Sequence, residues 1–292
     1  MYKKSLASKI FDVCNNAFIT LSGLTMLLPF VFVLNGSIVE DTEFFRTGGM
    51  ILFPQSFDLS NYKFLLTEGS IIPSFLLSIA VTAATVVFSL ALTLMLAYAM
   101  TKTDMPGHGA LMVFLIIMMY FDGGMIPNLL LYRDMGLFDT FAVYVLPAGI
   151  SVYNALLLRN FLNTIPSSLT ESARLDGASE MTILTRILLP LAKPGIATFS
   201  LFVAVGKWND WFSGVAYITP GNTVPLQTYL KNMMGLSQLK RNAMAELQNM
   251  VTPPPETLKM AAIVLTVLPI VIVYPFVQKY FVQGLLIGSV KE

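Results

Sequence analysis

The chain has 292 residues, of which 55% are hydrophobic and 12% are charged, and its mean hydropathy is +0.70. A soluble domain has about 25% charged residues, so this composition excludes a soluble globular protein and indicates a chain that crosses a membrane several times. The net charge of +1 excludes a strongly basic nucleic-acid-binding surface. One cysteine and one histidine exclude an internal disulfide and a His/Cys metal cluster.

The N-terminal segment places three lysines ahead of an apolar run from Ala17 to Leu34. Secretory signal peptides have the same order of charge and apolar run. This run is long enough to span a bilayer, however, and Asn35-Gly36-Ser37 after it is a poor cleavage site. We therefore expect an uncleaved first transmembrane helix.

Six apolar segments are each long enough to cross about 30 Å of hydrocarbon as a helix. Helices are expected because an open chain in lipid must satisfy its own backbone hydrogen bonds. The segments are Ala17–Leu34, Ile72–Met100, Gly109–Pro127, Phe141–Leu157, Ile196–Ile218 and Met260–Phe281. The sequence thus predicts an all-α membrane protein with six transmembrane helices. A polar, proline-bearing outer loop is expected from Thr219 to Thr257.

Six spans place both termini on one side of the membrane, and lysine and arginine indicate which side. With the N-terminus inside, the inner segments hold ten Lys and Arg residues and the longer outer segments hold seven. The first outer loop is acidic, which agrees with this orientation. We therefore expect both termini in the cytoplasm, together with the charged segment 166–194.

The segment from Pro166 to Pro194 interrupts the apolar spans with charge. Ser168 and Glu171 have the spacing of a capping box, which predicts a short helix from about Leu169. Gly177 can end that helix, because glycine reaches the left-handed conformation without a Cβ penalty.

A second short helix is expected from about Ser179, and Pro190 and Pro194 should end it. Its apolar residues form a stripe typical of an amphipathic helix: Met181, Leu184 and Leu188, with Ile183 and Ile187 beside them. We call residues 166–194 the elbow. Four charged side chains on its flanks are available for pairing: Glu171, Arg174, Asp176 and Glu180. The residues alone leave two interpretations open, a docking site for a partner and an interfacial loop without one.

The elbow resembles the coupling-helix motif of binding-protein-dependent ABC importer permeases. The family pattern is Glu-Ala-Ala, three residues, Gly, nine residues, then Ile-x-Leu-Pro. The chain departs from it once, with Ser172 at the first alanine. The six spans and the ending from Gln278 to Lys291 resemble maltose-type permeases of carbohydrate uptake, over most of residues 70–292. The matching positions are Glu171-Ser-Ala173, Asp176-Gly177-Ala178, Ile187-Leu-Leu-Pro190 and Pro194.

This resemblance implies a type I ABC importer permease fold in a bacterial cytoplasmic membrane, with a cytoplasmic coupling helix. It implies a first span with its outer loop in 1–70, a permease domain in 71–282 and a cytoplasmic tail in 283–292. Implied partners are a second, different permease chain, an ABC ATPase dimer, an extracytoplasmic solute-binding protein and a sugar, taken to be an oligosaccharide. The implied ATPase-coupling residues are Glu171, Ala173, Asp176, Gly177, Ala178, Ile187 and Pro190.

No phosphate-binding G-x-x-x-x-G-K-[ST] loop is present in the sequence, since Gly206-Lys207-Trp208 lacks both the hydroxyl residue and the earlier glycine. We therefore expect no cofactor in this chain and no hydrolysis of ATP by it. By the resemblance, ATP and Mg²⁺ are bound by the partner ATPase.

Polar residues within spans usually face a cavity or a partner, because burying them in lipid is costly. In the fifth span, tryptophan rings and amide or carboxylate groups could bind sugar, and Lys207 could pair with Asp210. An aromatic belt at the membrane interface would give the same pattern. The candidate residues of a substrate path are Tyr120, Asp122, Asn154, Trp208, Asn209, Asp210 and Trp211.

Two other function classes fit a polytopic chain less well. An ion-coupled secondary transporter usually has repeated halves and buried acids at the midplane, whereas here only Asp210 is expected to lie deep. A membrane enzyme would need a cluster of catalytic groups, and the single histidine and scattered acids do not provide one.

Overall fold

The computed structural model of the chain describes residues 6–244 and 255–289, and all regular elements in those ranges are helices. The chain divides into two compact units. The first unit comprises the chain up to Gly69 together with Asn232–Val267, and the second comprises Ser70–Lys231 together with the chain from Leu268 onward. The two units are described separately below.

The first unit begins with three helices, α1 (Leu6–Gly36), α2 (Asp41–Arg46) and α3 (Ser60–Thr67). Glu43, at 7% exposure, fixes the loop between α2 and α3, because its carboxylate accepts hydrogen bonds from the backbone N–H groups of Gln55 and Ser56 at 2.8 and 2.7 Å. An acid of the predicted outer loop thus has a structural role there.

The second unit holds the remaining helices up to Tyr217. They are α4 (Ile71–Ala99), α5 (His108–Tyr120), α6 (Met125–Asp134), α7 (Ala142–Val145) with a 3₁₀ turn (Leu146–Ala148), α8 (Val152–Leu162), α9 (Ser167–Leu175), α10 (Glu180–Thr182) continuing through a π-helical segment (Ile183–Leu188) into α11 (Leu189–Leu191), α12 (Lys193–Trp208) and α13 (Phe212–Tyr217). Two further helices, α14 (Leu226–Met244) and α15 (Glu256–Ser289), each contribute residues to both units.

Within the described ranges, up to six membrane spans are present, as the sequence predicts. Three single helices are long and apolar enough to cross a bilayer: Ser8–Gly36, Ile71–Ala99 and Glu256–Pro275. Three bent pairs reach that length together: His108–Tyr120 with Met125–Asp134 at 109°, Ala142–Ala148 with Val152–Leu162 at 52°, and Glu180–Leu191 with Lys193–Trp208 at 85°. In the last pair, Glu180–Leu191 belongs to the elbow, and the predicted fifth span overlaps only Lys193–Trp208.

The predicted boundaries were wrong where the chain bends. The third predicted span continues to Pro127, but α5 ends at Tyr120. Asp122 then accepts hydrogen bonds from the Gly124 N–H at 3.1 Å and from the Asn128 side chain at 3.2 Å, and Gly124 has a φ of +86°. A side chain that bonds to nearby backbone in this way competes with helix continuation.

The fourth, fifth and sixth predicted spans also differ. The fourth is broken around Pro147 and Gly149 into α7, a 3₁₀ turn and α8, and the fifth ends at Trp208 instead of Ile218. The sixth begins at Glu256 and continues to Ser289, so the predicted tail 283–292 starts inside a helix. Its last three residues lie outside the described ranges.

The segment predicted as an outer loop, from Thr219 to Thr257, contains a helix, α14 (Leu226–Met244). Residues 245–254 of this loop lie outside the described ranges. In the second unit, the Leu226 N–H donates to the Ser78 hydroxyl of α4 at 2.7 Å, which fixes the start of α14.

Helix α4 is the centre of the second unit and packs chiefly against α12 and α8. Small hydroxyl residues at the contact let the helix backbones approach closely, as is common in membrane bundles. Helices α12 and α8 also approach each other closely, because a Cβ atom at Gly195 of α12 would lie 3.1 Å from the Phe161 ring of α8. The buried hydroxyl residues of α4 are Ser74, Ser78, Thr85, Ser89 and Thr93.

Replacing Gly214 by alanine is expected to destabilise the second unit. A Cβ atom at Gly214 would lie 2.8 Å from the Cβ of Thr228, which is fully buried. Overpacking of this kind costs about 1–3 kcal/mol, so the thermal unfolding temperature in detergent should fall by several degrees. Gly109→Ala is the matched control, since nothing lies within 4 Å of its new Cβ. Equal unfolding temperatures for the two variants would contradict the prediction.

Candidate functional site

The first helix of the elbow, α9, begins two residues earlier than a capping box at Ser168 requires. Pro166 occupies the N-cap position without a side-chain hydrogen bond, so Ser168 lies inside the first turn. The predicted capping box between Ser168 and Glu171 is therefore wrong. Proline starts the helix instead: its φ is fixed near −60°, and its extended ψ of 127° directs the chain into the first turn.

The turn of the elbow is at Gly177, as predicted. Gly177 has a φ of +79°, its N–H donates to the Arg174 carbonyl at 3.0 Å, and the Ala178 N–H donates to the Ala173 carbonyl at 2.9 Å. These two bonds form a Schellman motif, in which glycine is the residue that adopts the left-handed conformation without strain. Ser179 then caps the second helix by accepting from the Thr182 N–H at 3.3 Å.

The second helix of the elbow departs from the predicted α-helical stripe. Ile183–Leu188 is π-helical, and Pro190, which has no N–H to donate, lies two residues beyond its end. Ile183, Leu184 and Leu188 are buried as predicted, but Met181 is 58% exposed and does not belong to the packed stripe.

The residues of the coupling motif divide between two faces. Ala173, Ala178 and Ile187 pack against the buried cluster of the second unit, which consists of Leu94, Ala97, Tyr98, Leu158, Leu162, Ile183, Leu184, Leu188, Ala192 and Phe199. The other four motif residues are exposed: Glu171, Asp176, Gly177 and Pro190. The inner face fixes the elbow on the helical bundle, and the outer face is free to contact a partner.

The exposed side of the turn presents an apolar side chain. Leu175 is 89% exposed next to the acidic Asp176, and nothing lies within 4 Å of where a Cβ of Gly177 would be. A bare glycine backbone beside one leucine is a shape that another protein surface can approach closely. Leu175 was not among the residues predicted from the sequence to contact a partner.

A charged cluster, here named the Glu180 latch, ties the elbow to the end of α4. The Glu180 carboxylate accepts hydrogen bonds from the Tyr98 hydroxyl, from Lys102 Nζ at 2.8 Å and from Arg174 Nε at 2.9 Å. Arg174 and Glu180, predicted to be available for a partner, are thus paired within this chain. The latch faces an open cavity of about 580 Å³, which Met181 also lines.

The latch holds the pKa of Glu180 at about 2, compared with an ordinary value of 4.5. The hydrogen bond from Lys102 is the largest cause, followed by the bond from Tyr98, and partial burial acts in the opposite direction. Because the folded-state pKa is lowered, the stabilisation is fully present above pH 4.5 and is lost as the pH falls toward 2. The latch therefore stays ionised throughout the physiological range.

The polar end of α12 contains the predicted ion pair. Lys207 Nζ lies 2.7 Å from the Asp210 carboxylate, and the two side chains are 8% and 21% exposed. The other oxygen of Asp210 accepts from the Ser213 N–H at 3.0 Å, which helps to start α13. This arrangement explains why the fifth span ends early.

The structure brings only two of the substrate-path candidates together. Asn154 of α8 and Asp210 line one cavity of about 310 Å³ in the second unit, which we call the polar cavity. Its other polar lining residues, which were not among the predicted substrate-path residues, are Thr85, Ser89, Ser151 and Lys207. The spacing of Thr85 and Ser89, one turn apart within an apolar span, is the signal that could have identified them.

The tryptophan and amide candidates near the end of α12 lie outside the lining of this cavity. Trp208 is 9% exposed and packs edge-on against Phe75, which is the environment of a core residue. Trp211 is 42% exposed, with Lys231 Nζ 4.9 Å from its ring centroid. Asn209 donates to the Val205 carbonyl at 2.9 Å and accepts from the Gln227 side chain at 3.2 Å.

Tyr120 and Asp122, the candidates at the end of α5, also lie outside the polar cavity. Tyr120 is 75% exposed, and Asp122 is exposed in the bend that follows. The hydrogen bonds of Asp122 within that bend account for it structurally. Within the described ranges, no group of three or more His, Cys, Asp or Glu residues could hold a metal ion.

The amino-acid sequence of this chain is similar to those of known transport proteins. Residues 70–287 match the family of binding-protein-dependent transport system inner membrane components. The chain is 40% identical to Protein LplC of Bacillus subtilis strain 168, with 98% of this chain and 96% of LplC covered. It is 36% identical to the polygalacturonan/rhamnogalacturonan transport system permease protein YtcP of the same strain, with 98% of this chain and 100% of YtcP covered.

A solved structure shows the same architecture. It is a chain from the crystal structure of a bacterial ABC transporter involved in the import of the acidic polysaccharide alginate. The TM-score is 0.85 at 32% sequence identity, and the match covers 96% of this chain and 100% of that chain.

Proposed function

Since the chain belongs to the family of binding-protein-dependent transport system inner membrane components and is a sugar ABC importer permease of the inner membrane with the type I fold, we propose that it forms the pore of an ATP-driven oligosaccharide importer together with a second permease chain. A separate ABC ATPase dimer hydrolyses ATP and binds Mg²⁺. An extracytoplasmic solute-binding protein delivers the sugar. Both termini and the elbow lie on the cytoplasmic side.

The geometry of the elbow is the observation that supports this proposal best. Its inner face packs on the core of the second unit, and its outer face presents Gly177 and Leu175 uncovered. A rigid element with one free face can transmit a movement of its partner to the helices behind it. In the proposed cycle, ATP-driven closure of the ATPase subunits moves the elbow and shifts the spans toward an outward-open state.

The substrate class is proposed from the relatives. YtcP is named for polygalacturonan and rhamnogalacturonan transport, and the structural relative is involved in alginate import. Both names refer to sugar polymers. An oligosaccharide is therefore the substrate class that we propose for this chain.

Reconstitution tests the proposal directly. The chain, produced with its native partners, is expected to co-purify with a second six-span permease and an ATPase. Proteoliposomes that hold this complex should import oligosaccharide only with ATP and binding protein present, and vanadate should inhibit the import. Uptake by this chain alone, driven by a proton or sodium gradient, would favour a secondary transporter instead.

A further inference from the structure

The loop between the first span and α4 carries large apolar side chains on its surface. Phe53 is 87% exposed, and its neighbours Met50 and Leu52 are exposed as well. Exposed apolar surface on this scale marks a contact with a membrane or with another protein. The phenylalanines of the loop that are at least half exposed are Phe45, Phe53, Phe57 and Phe64.

Several polar side chains of the same loop turn inward instead. The buried Ser37 hydroxyl accepts a hydrogen bond from the Tyr62 hydroxyl at 2.7 Å. The buried Glu43 carboxylate accepts from the Ser56 hydroxyl as well as from the loop backbone. Paired polar groups inside and apolar side chains outside are the arrangement of a segment that faces lipid.

Asn35, in the last turn of α1, fixes the position of the most exposed part of the loop. Its side-chain N–H group donates to the backbone carbonyl of Ile51 at 2.8 Å and to that of Leu52 at 3.0 Å. These bonds hold residues 50–53, here called the Phe53 segment, beside the end of a span. No residue of the most apolar stretch of α1 is buried against the described part of the chain. The Phe53 segment therefore continues the apolar surface that α1 presents to the bilayer.

The length of α1 leaves its depth in the membrane open. Its 31 residues extend over about 46 Å as an α-helix, whereas the hydrocarbon core is about 30 Å thick. A span longer than the bilayer is thick can tilt or slide, and its position is set by groups that are anchored at the interface. Such an anchor is needed at one end of α1.

We propose that the Phe53 segment is this anchor, and that Leu52 and Phe53 insert into the boundary between lipid headgroups and acyl chains at the end of α1. Exposed phenylalanine and leucine side chains are the groups by which interfacial segments enter this boundary. Lipid is favoured over a protein partner because Asn35 holds the segment at the end of a span. In the orientation proposed above, the leaflet is the outer one.

The test measures which phase surrounds Phe53. The chain is purified with its native partners and placed in nanodiscs of phosphatidylcholine and phosphatidylglycerol. A nitroxide spin label is attached to Phe53→Cys, after Cys14 and any cysteine of the partner chains have been replaced by serine. Lys63→Cys is the matched control, because Lys63 is an exposed, charged side chain of the same loop. Collisions of the label with oxygen, which partitions into lipid, are compared with collisions with a nickel chelate, which stays in water.

The label at position 53 should collide more often with oxygen than with the chelate, and the label at position 63 should show the opposite preference. Preference for the chelate at both positions would overturn the proposal, because the Phe53 segment would then lie in water. A label at position 53 that is shielded from both reagents would also overturn it, since a protein would then cover the segment. Repeating that measurement without the binding protein would identify which partner does so.

Asn35→Leu tests the tether, because leucine has nearly the size of asparagine but no N–H group to donate. In this background, the label at position 53 should shift from oxygen toward the chelate. An unchanged preference for oxygen would overturn the role of Asn35 as the tether. These measurements need neither sugar nor ATP, so a failure of oligosaccharide import would leave their result unaffected.

Discussion

Replacing Gly177 by valine is expected to abolish sugar import while the protein still inserts into the membrane. Gly177 has a φ of +79°, a conformation that a β-branched residue rarely adopts. Its outer side is also open, so a valine would stand where we propose that the ATPase approaches. The measurement is ATP-dependent uptake in proteoliposomes, with membrane insertion checked by quantifying the purified complex.

Two further variants separate contact with a partner from strain in the turn. Gly177→Asn adds a side chain but tolerates the left-handed conformation, so a loss of transport in this variant indicates that the ATPase needs close approach. Gly136→Val tests strain alone, because Gly136 ends α6 with the same pair of backbone bonds and a φ of +69°. Normal uptake by Gly177→Val, or an equal loss in Gly136→Val, would remove the case for coupling at Gly177.

Glu180→Ala is the second substitution with a large expected effect, and it should uncouple the importer. One carboxylate joins Tyr98 and Lys102, at the end of α4, to Arg174 of the elbow. Removing it leaves two cations without their shared anion and lets the turn of the elbow shift relative to the end of α4, although the apolar inner face stays packed on the bundle. Sugar import should fall about tenfold, while ATP hydrolysis continues and no longer depends on the binding protein.

The control for Glu180 is an ion pair elsewhere in the same unit. Asp134 lies 3.6 Å from Arg133 on the exposed surface of α6, and Asp134→Ala should leave import unchanged, because exposed pairs contribute little. Import by Glu180→Ala with the wild-type ratio of sugar to ATP would show that the latch does not position the elbow. A fall in import and ATP hydrolysis together would indicate misfolding, which thermal unfolding of the purified complex would detect.

The class of fold and the position of the elbow follow from local properties of the chain. Apolar runs longer than the bilayer is thick predict spans, and Gly177 between two short amphipathic segments predicts a turn. The ends of the spans could not be predicted equally well. They depend on single polar contacts, such as those of Asp122 with Gly124 and of Asp210 with Ser213, which compete with helix continuation.

A helical membrane protein of up to six spans with a charged elbow is predictable from the amino-acid sequence, because hydropathy and the conformations of glycine and proline act over a few residues. Three features became visible only in the folded chain: which motif residues face outward, the pairing of Glu180 within the chain, and the cavity that Asn154 and Asp210 share with Thr85. They could not be predicted because burial and pairing depend on helices that are distant in the sequence. The π-helical segment from Ile183 to Leu188 also places Met181 outside the stripe that α-helical spacing predicted.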